Sequence, residues 1–121
     1  MTIFDYPLKV LQVYRPERNE PRDFDQFWAS TLESAREKSF PACFKLVDYG
    51  LKLVDCYDVT FAGFNGQEIK AWFIIPKNMF RPLPCIVQFQ GYGSGRSFPI
   101  DWLFCANAGY ANLVVDSRGQ G

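Results

Sequence analysis

The 121 residues carry thirteen basic and thirteen acidic side chains, twelve phenylalanines and no histidine. Balanced charge without a polybasic run argues against nucleic acid and anionic membranes as partners, and no apolar stretch is long enough to cross a bilayer. Imidazole is the usual acceptor of a serine nucleophile's proton near neutral pH, so this chain cannot assemble a Ser-His-Asp triad by itself.

The cysteines, Cys43, Cys56, Cys85 and Cys105, are scattered without a Cys-x-x-Cys spacing, so neither a metal site nor another cofactor is expected. Met1 to Pro7 has no basic start and no apolar run of the kind a secretion leader needs. Free cysteines without a leader fit a reducing, cytoplasmic setting. With 48% apolar residues the chain is core-forming sequence rather than a disordered tail.

From Phe4 to Arg22 the chain is an irregular approach segment, since Pro7, Pro16 and Pro21 interrupt any long helix. Asp23 followed by Gln26 reads as a capping-box start. Phe24, Phe27, Trp28, Leu32 and Ala35 then recur at helical spacing, predicting a helix with an aromatic stripe that packs on a core and ends near Ser39, before Pro41. Tyr57, Val59 and Phe61 alternate with Asp58 and Thr60, as in a strand with one apolar face. Asn65-Gly66 supplies the positive φ of a tight reversal, and Glu68 to Ile75 returns with Ile69, Ala71, Phe73 and Ile75 on one side.

Next, Cys85 to Phe89 and Leu113 to Val115 are short apolar runs separated by a glycine-rich loop, Gly91 to Gly95, and a helical stretch from about Asp101 to Ala108. Strand, loop, helix, strand is a βαβ unit, with parallel strands buried on both faces. A strand ending at Asp116 without neighbours beyond it would leave an unpaired edge, so poor autonomous folding is expected. Trp72 and Trp102 sit in the return strand and the helical stretch among apolar neighbours, which favours core packing over a sugar platform.

Two clusters could carry chemistry. The loop Gln90 to Ser97 follows the C-terminal end of a predicted parallel strand, where ligand sites of open α/β sheets gather. Ser94 is not a nucleophile elbow, because Tyr92 and Arg96 occupy the positions that Gly-x-Ser-x-Gly reserves for glycine. A dinucleotide fingerprint fits only as far as Gly91 and Gly93, with Asp116 as the ribose acid. Gly95 comes one position early and Phe98-Pro99 separates the loop from its helix, so a small Rossmann-like nucleotide-binding module is the lesser alternative. An oxyanion-hole loop fits better, with the Tyr92 main-chain N–H as donor and the glycines admitting an ester closely. The second cluster, Asp116 to Gly121, is a polar turn in which Arg118 could hold a carboxylate or backbone carbonyls.

Taken together, these residues resemble the acetyl xylan esterase and cephalosporin C deacetylase family of α/β-hydrolases. The likeness runs through Tyr14-Arg15-Pro16-Glu17, Asp23-Phe24-Asp25-Gln26-Phe27-Trp28, Tyr57-Asp58-Val59-Thr60-Phe61 and Gly66-Gln67-Glu68-Ile69-Lys70-Ala71-Trp72. It continues through Pro84-Cys85-Ile86-Val87-Gln88, Gly91-Tyr92, Phe98-Pro99-Ile100-Asp101-Trp102 and Asp116-Ser117-Arg118-Gly119-Gln120-Gly121. Ile100 departs from the polar residue expected there.

The resemblance implies the opening part of a single α/β-hydrolase domain over residues 1–121: an N-terminal helix, an antiparallel hairpin and the start of the parallel sheet. The family's Gly-x-Ser-Gln-Gly nucleophile motif and its later Asp and His-Glu elements have no counterpart here. None of Ser30, Ser34, Ser39, Ser94, Ser97 or Ser117 matches the nucleophile. Tyr92 matches the oxyanion donor, while Gly91 and Arg118-Gly119-Gln120 match supporting motifs. The implied substrates are acetylated xylo-oligosaccharides and small acetyl esters of the cephalosporin type. The implied parent is a cytoplasmic serine esterase, typically a hexamer, and this chain alone is expected to be inactive.

Overall fold

The computed structural model describes residues 5–17, 19–77, 79 and 82–120. Phe4 and Gly121, the outer limits of the approach segment and of the last cluster, lie outside the described residues. A single turn of helix, α1 (Leu8–Leu11), follows Pro7, and the helix α2 spans Phe24–Glu37. The strands are β1 (Cys43–Val47), β2 (Val54–Ala62), β3 (Glu68–Pro76), β4 (Cys85–Phe89) and β5 (Ala111–Val115). A 3-10 turn, Pro99–Trp102, runs into the short helix α3 (Leu103–Asn107) between β4 and β5. Among the described residues no helix is long and apolar enough to cross a membrane.

The sheet has the order β1-β2-β3-β5-β4. The expected hairpin is present, with β2 antiparallel to β3 and Asp58 opposite Trp72. Its connection is longer than a two-residue turn: Gly63 N–H donates to Gln67 O at 2.7 Å, and a 3-10 turn lies between them. Asn65 and Gly66 do take positive φ there, 58° and 75°. The βαβ unit is also present, with β4 parallel to β5 and Phe89 opposite Val115.

The structure corrects several expectations. The additional strand β1 pairs antiparallel with β2; its Cys-Phe-Lys-Leu-Val sequence is too short for alternation to declare itself. β5 is not the open edge. It inserts between β3, to which it is antiparallel, and β4, so among the described strands the outer one on this side is β4. β5 is thus paired along both edges and mostly buried, whereas β4 leaves Val87 and Phe89 exposed. Asp23 does not cap α2 with its side chain: a turn closed by Phe24 N–H on Pro21 O leads the chain in, leaving Asp23 near-helical at φ −99° and ψ 12°. The helix stops at Glu37, and the stretch expected from Asp101 to Ala108 divides into the 3-10 turn and α3.

β3 carries the core on both faces. Ile69 and Ala71, with Phe73 partly buried, meet Val59, Leu113 and Val115 on the face foreseen from alternation. On the other face Trp72 and Ile74 pack with Val54, Cys56, Val114 and Ala106 of α3. The aromatic stripe of α2 does not reach either cluster. This helix meets the β2–β3 connection through Lys38 and Asn65, and Phe24 and Phe27 each pack edge-on against Trp28.

Because Ile74 is fully buried, its truncation leaves a cavity that the sheet cannot close. Ile74→Ala is expected to lower stability by about 2–5 kcal/mol in urea titration, whereas Val13→Ala, at a largely exposed position, should stay within about 0.5 kcal/mol. Equal effects of the two changes would refute this placement of the core.

Candidate functional site

The face of the sheet that is apolar beneath α3 becomes ionic toward the C-terminal ends of β4 and β5. Asp58 on β2, Trp72 and Lys70 on β3, and Asp116 just past β5 all belong to this face, since each lies an even number of residues from Cys56, Ile74 or Val114 or pairs with one that does. Asp116 N–H donates to Lys70 O at 2.9 Å, which prolongs the β3–β5 pairing by one rung.

Arg96, from the loop after β4, fills the space among them. Its Nη1 donates to Asp58 Oδ1 at 2.7 Å and to Ala71 O at 2.8 Å, and its Nε lies 3.1 Å from Asp116 Oδ2. The guanidinium carbon sits 3.9 Å from the centre of the Trp72 ring. Lys70 Nζ approaches the second Asp58 oxygen at 3.2 Å and Thr60 Oγ1 at 2.7 Å. The side chains of Arg96, Asp58 and Asp116 are 17%, 23% and 14% exposed, so these charges are largely removed from water. Burial by itself would raise the Asp58 carboxyl; hydrogen bonds from Arg96 and Lys70, with their charges, outweigh it and hold the group below the usual carboxylate range.

The main chain of the loop is fixed to the same network. Asp116 Oδ1 accepts the Arg96 N–H, Trp102 Nε1 donates to Arg96 O at 2.6 Å, and Trp72 Nε1 donates to Ser97 O at 2.9 Å. Ser97 has φ 51°, a left-handed conformation that costs a non-glycine residue about 1–3 kcal/mol. The Ser97 hydroxyl and the Phe98 N–H both donate to Asp101 Oδ2, and they lower the Asp101 carboxyl. Both tryptophans therefore pack as expected, and each also holds the loop through its indole N–H.

The two clusters singled out in the sequence meet. Ser117 to Gln120 form a turn closed by Gln120 N–H on Ser117 O at 2.9 Å, with Gly119 at φ 78°, the third-position geometry that favours glycine in a type II turn. This turn directs Gln120 Oε1 to the N–H of Gly93. A depression of about 550 Å³ opens there, lined by Tyr92, Gly93, Ser94, Gly95, Gly119 and Gln120.

Tyr92 at its rim is fully exposed, and its N–H has no acceptor among the described residues. Gly93 takes positive φ, 78°; Gly91 does not, and a Cβ there would meet nothing within 4 Å. Arg118 forms no ion pair among the described residues. It reaches toward the Phe64 ring at 5.9 Å, so the arginine that holds carboxylates is Arg96.

Among the described residues, the serine hydroxyls that donate a hydrogen bond do so to carbonyls or to a carboxylate with a lowered pKa, which are poor bases. Ser30, Ser39 and Ser94 donate to backbone carbonyls, and Ser97 to Asp101. Cys56 is buried, and burial followed by the charge of Asp55 raises its thiol, as suits a core group rather than a nucleophile. The glycine loop does not open a helix either: extended Phe98 and the 3-10 turn separate it from the five-residue α3. That geometry gives no helix N-terminus for a pyrophosphate. Sequence reasoning missed Arg96, Asp58 and Lys70 as site residues. The available signal was charge at inward positions: Asp58 and Lys70 alternate in register with Cys56, Trp72 and Ile74.

The family model for acetyl xylan esterase (AXE1) matches residues 1–121. Among solved structures, an acetyl xylan esterase from a Paenibacillus species is 39% identical, with a TM-score of 0.80 over 96% of this chain and 38% of that one. Acetyl xylan esterase 1 from a Thermoanaerobacterium species is 33% identical, with a TM-score of 0.78 over 98% of this chain and 37% of that one. The chain thus spans well under half the length of these relatives. The mixed sheet and its short helices match the corresponding part of an α/β-hydrolase, as the residues led us to expect.

The lowered Asp58 carboxyl has a consequence for stability. A group whose pKa is depressed on folding stabilises the fold above its unfolded value, about 3.9 for aspartate, and loses that contribution as pH falls through the folded value. Asp58→Asn should therefore be less stable than the parent at pH 7, with the difference shrinking as pH is lowered below about 4. Urea midpoints from pH 7 to pH 2.5 measure this, and a pH-independent difference would contradict it.

Proposed function

The chain belongs to the acetyl xylan esterase family, and from that premise we propose that it is the N-terminal part of a serine carboxylester hydrolase domain that lacks the reacting groups. In the complete enzyme a serine outside residues 1–121 attacks the acetyl carbonyl. The negative charge that develops on the carbonyl oxygen is met by two backbone N–H groups, that of Tyr92 and that of the residue after the nucleophile. Collapse of that tetrahedral species forms the acyl-enzyme and expels the substrate's alcohol, which receives the proton taken from the serine by a base outside residues 1–121. Water then releases acetate from the acyl-enzyme.

The observation that carries this reading is the N–H of Tyr92, without an acceptor among the described residues, just past the C-terminal end of β4 on a loop held from the β5 side by Gln120. The space around Gly91 is open, and Arg118-Gly119-Gln120 belong to the turn that supports the loop. The absence of histidine agrees with a chain that contributes one oxyanion donor and its scaffold but no general base. Substrates of the whole enzyme are acetylated xylo-oligosaccharides and small acetyl esters of the cephalosporin type. The enzyme is cytoplasmic and hexameric by the same family likeness, and uses no metal or organic cofactor.

The decisive comparison is between this chain alone and a hybrid in which it replaces the matching 38% of the Paenibacillus acetyl xylan esterase. Purified residues 1–121 should not hydrolyse 4-nitrophenyl acetate above a denatured-protein blank. The hybrid should hydrolyse it and release acetate from acetylated xylo-oligosaccharide. In the same hybrid Tyr92→Phe should retain most of kcat, because the proposed donor is the main-chain N–H, whereas Tyr92→Pro should lose about 10²–10³-fold by deleting it. A folded but inactive hybrid, or hydrolysis by the isolated chain, would overturn the reading.

A further inference from the structure

We propose that Arg96 is a positioning residue for catalysis: by joining Asp58 and Asp116 beneath the glycine loop, it fixes where the Tyr92 N–H stands. This rests on the reading of that N–H as an oxyanion donor, but the hold of Arg96 on the loop can be judged without it.

The loop leaves the sheet at Phe89 and next meets a strongly bonded group at Arg96. Between these points glycine stands at 91, 93 and 95, so the backbone has little stiffness of its own. Within the span, the turn from Gly91 to Ser94 is closed by its own hydrogen bonds, and Gly93 has its bond to Gln120. Those contacts shape the tip. They do not connect it to β2 or β3.

Arg96 makes that connection. Its N–H and C=O are both bonded, to Asp116 and Trp102, while its side chain turns back under the loop to β2 through Asp58 and to β3 through Ala71 O and the Trp72 face. Displacing the C-terminal leg of the loop would break several charge-assisted bonds together, away from bulk water. A guanidinium suits this place because its planar fork reaches two carboxylates and a carbonyl while stacking on an indole; an ammonium offers no such plane. Since Lys70 also engages Asp58, loss of Arg96 does not leave that carboxylate without a partner. The anchor is therefore separable in part from the stability of the sheet beneath it.

Two measurements test this. In the intact 121-residue chain, hydrogen exchange followed by mass spectrometry should show peptides covering 91–97 exchanging at least about tenfold faster in Arg96→Met than in the parent, with peptides of β2 and β3 little changed. In the hybrid esterase, rates are expressed per active site titrated with a fluorophosphonate, so that misfolded protein is not counted. Arg96→Met and Arg96→Lys should lower kcat by about 10²-fold with KM changed less than about twofold, because a misplaced donor weakens the transition state more than substrate binding. Affinity for an alkylboronic acid, whose tetrahedral adduct needs the same pocket, should fall in parallel. Asp58→Asn, which keeps the shape and removes one anchor, should lose less in the same direction.

A structural role alone would reduce the number of titratable sites while leaving kcat per site and boronate affinity unchanged, and that result overturns the proposal. So does unchanged exchange at 91–97. If the unsubstituted hybrid is inactive, the esterase reading fails, whereas the exchange result still decides whether Arg96 holds the loop.

Discussion

One guanidinium reconciles two carboxylates that would otherwise repel each other in a partly dry setting. Asp58 comes from the antiparallel hairpin and Asp116 from the end of the parallel pair, and Arg96 lies against both. The cation between them offsets that repulsion at a depth where water screens it poorly. A largely buried ion pair adds little net stability, because desolvation consumes most of the attraction. Its value here is geometric. The stacking on Trp72, worth about 1–2 kcal/mol in a desolvated setting, fixes the plane of the fork as well as its reach.

That arrangement explains why one face of the sheet changes character along its length. Beneath α3 it is a hydrocarbon core of Val54, Cys56, Trp72, Ile74 and Val114. Gln88 and Asn112 join the two regions through a hydrogen bond of 2.9 Å, and Asn112, fully buried, passes a second one to Trp102 O at 3.0 Å. The polar end then presents its loops where two adjacent parallel strands terminate. A family chemistry that needs a preorganised backbone donor is served by such a construction, since little has to move when charge develops.

Much of this was legible in the residues. Alternation located the hairpin and identified the face made by Ile69, Ala71 and Phe73, and Asn65-Gly66 marked its reversal, because those signals arise from local backbone preference and one-sided burial. The insertion of β5 between β3 and β4 was not legible, since nothing in a five-residue apolar run states which neighbours it takes. Asp23 misled because the turn from Pro21 had already set the helix entry. The aromatic stripe of α2 was read correctly as periodicity and wrongly as burial against the core. At the site, glycines and the Arg-Gly-Gln run drew attention as motifs, whereas Arg96 was a single charge in a loop. Its importance depends on residues 38 and 20 positions away, and only the fold brings those close.

The strand order also sets a sequence of events during synthesis. β1, β2 and β3 can pair with one another as they emerge, because each lies beside its neighbour in the chain. β4 is made next but has no place beside β3; among the described strands its partner is β5, made after it. Among the described strands, the place between β3 and β4 is filled only when β5 has been made. A ribosome adding residues one by one produces the keystone of this sheet after the stones on either side of it, and such non-local pairing is slower to form than a hairpin.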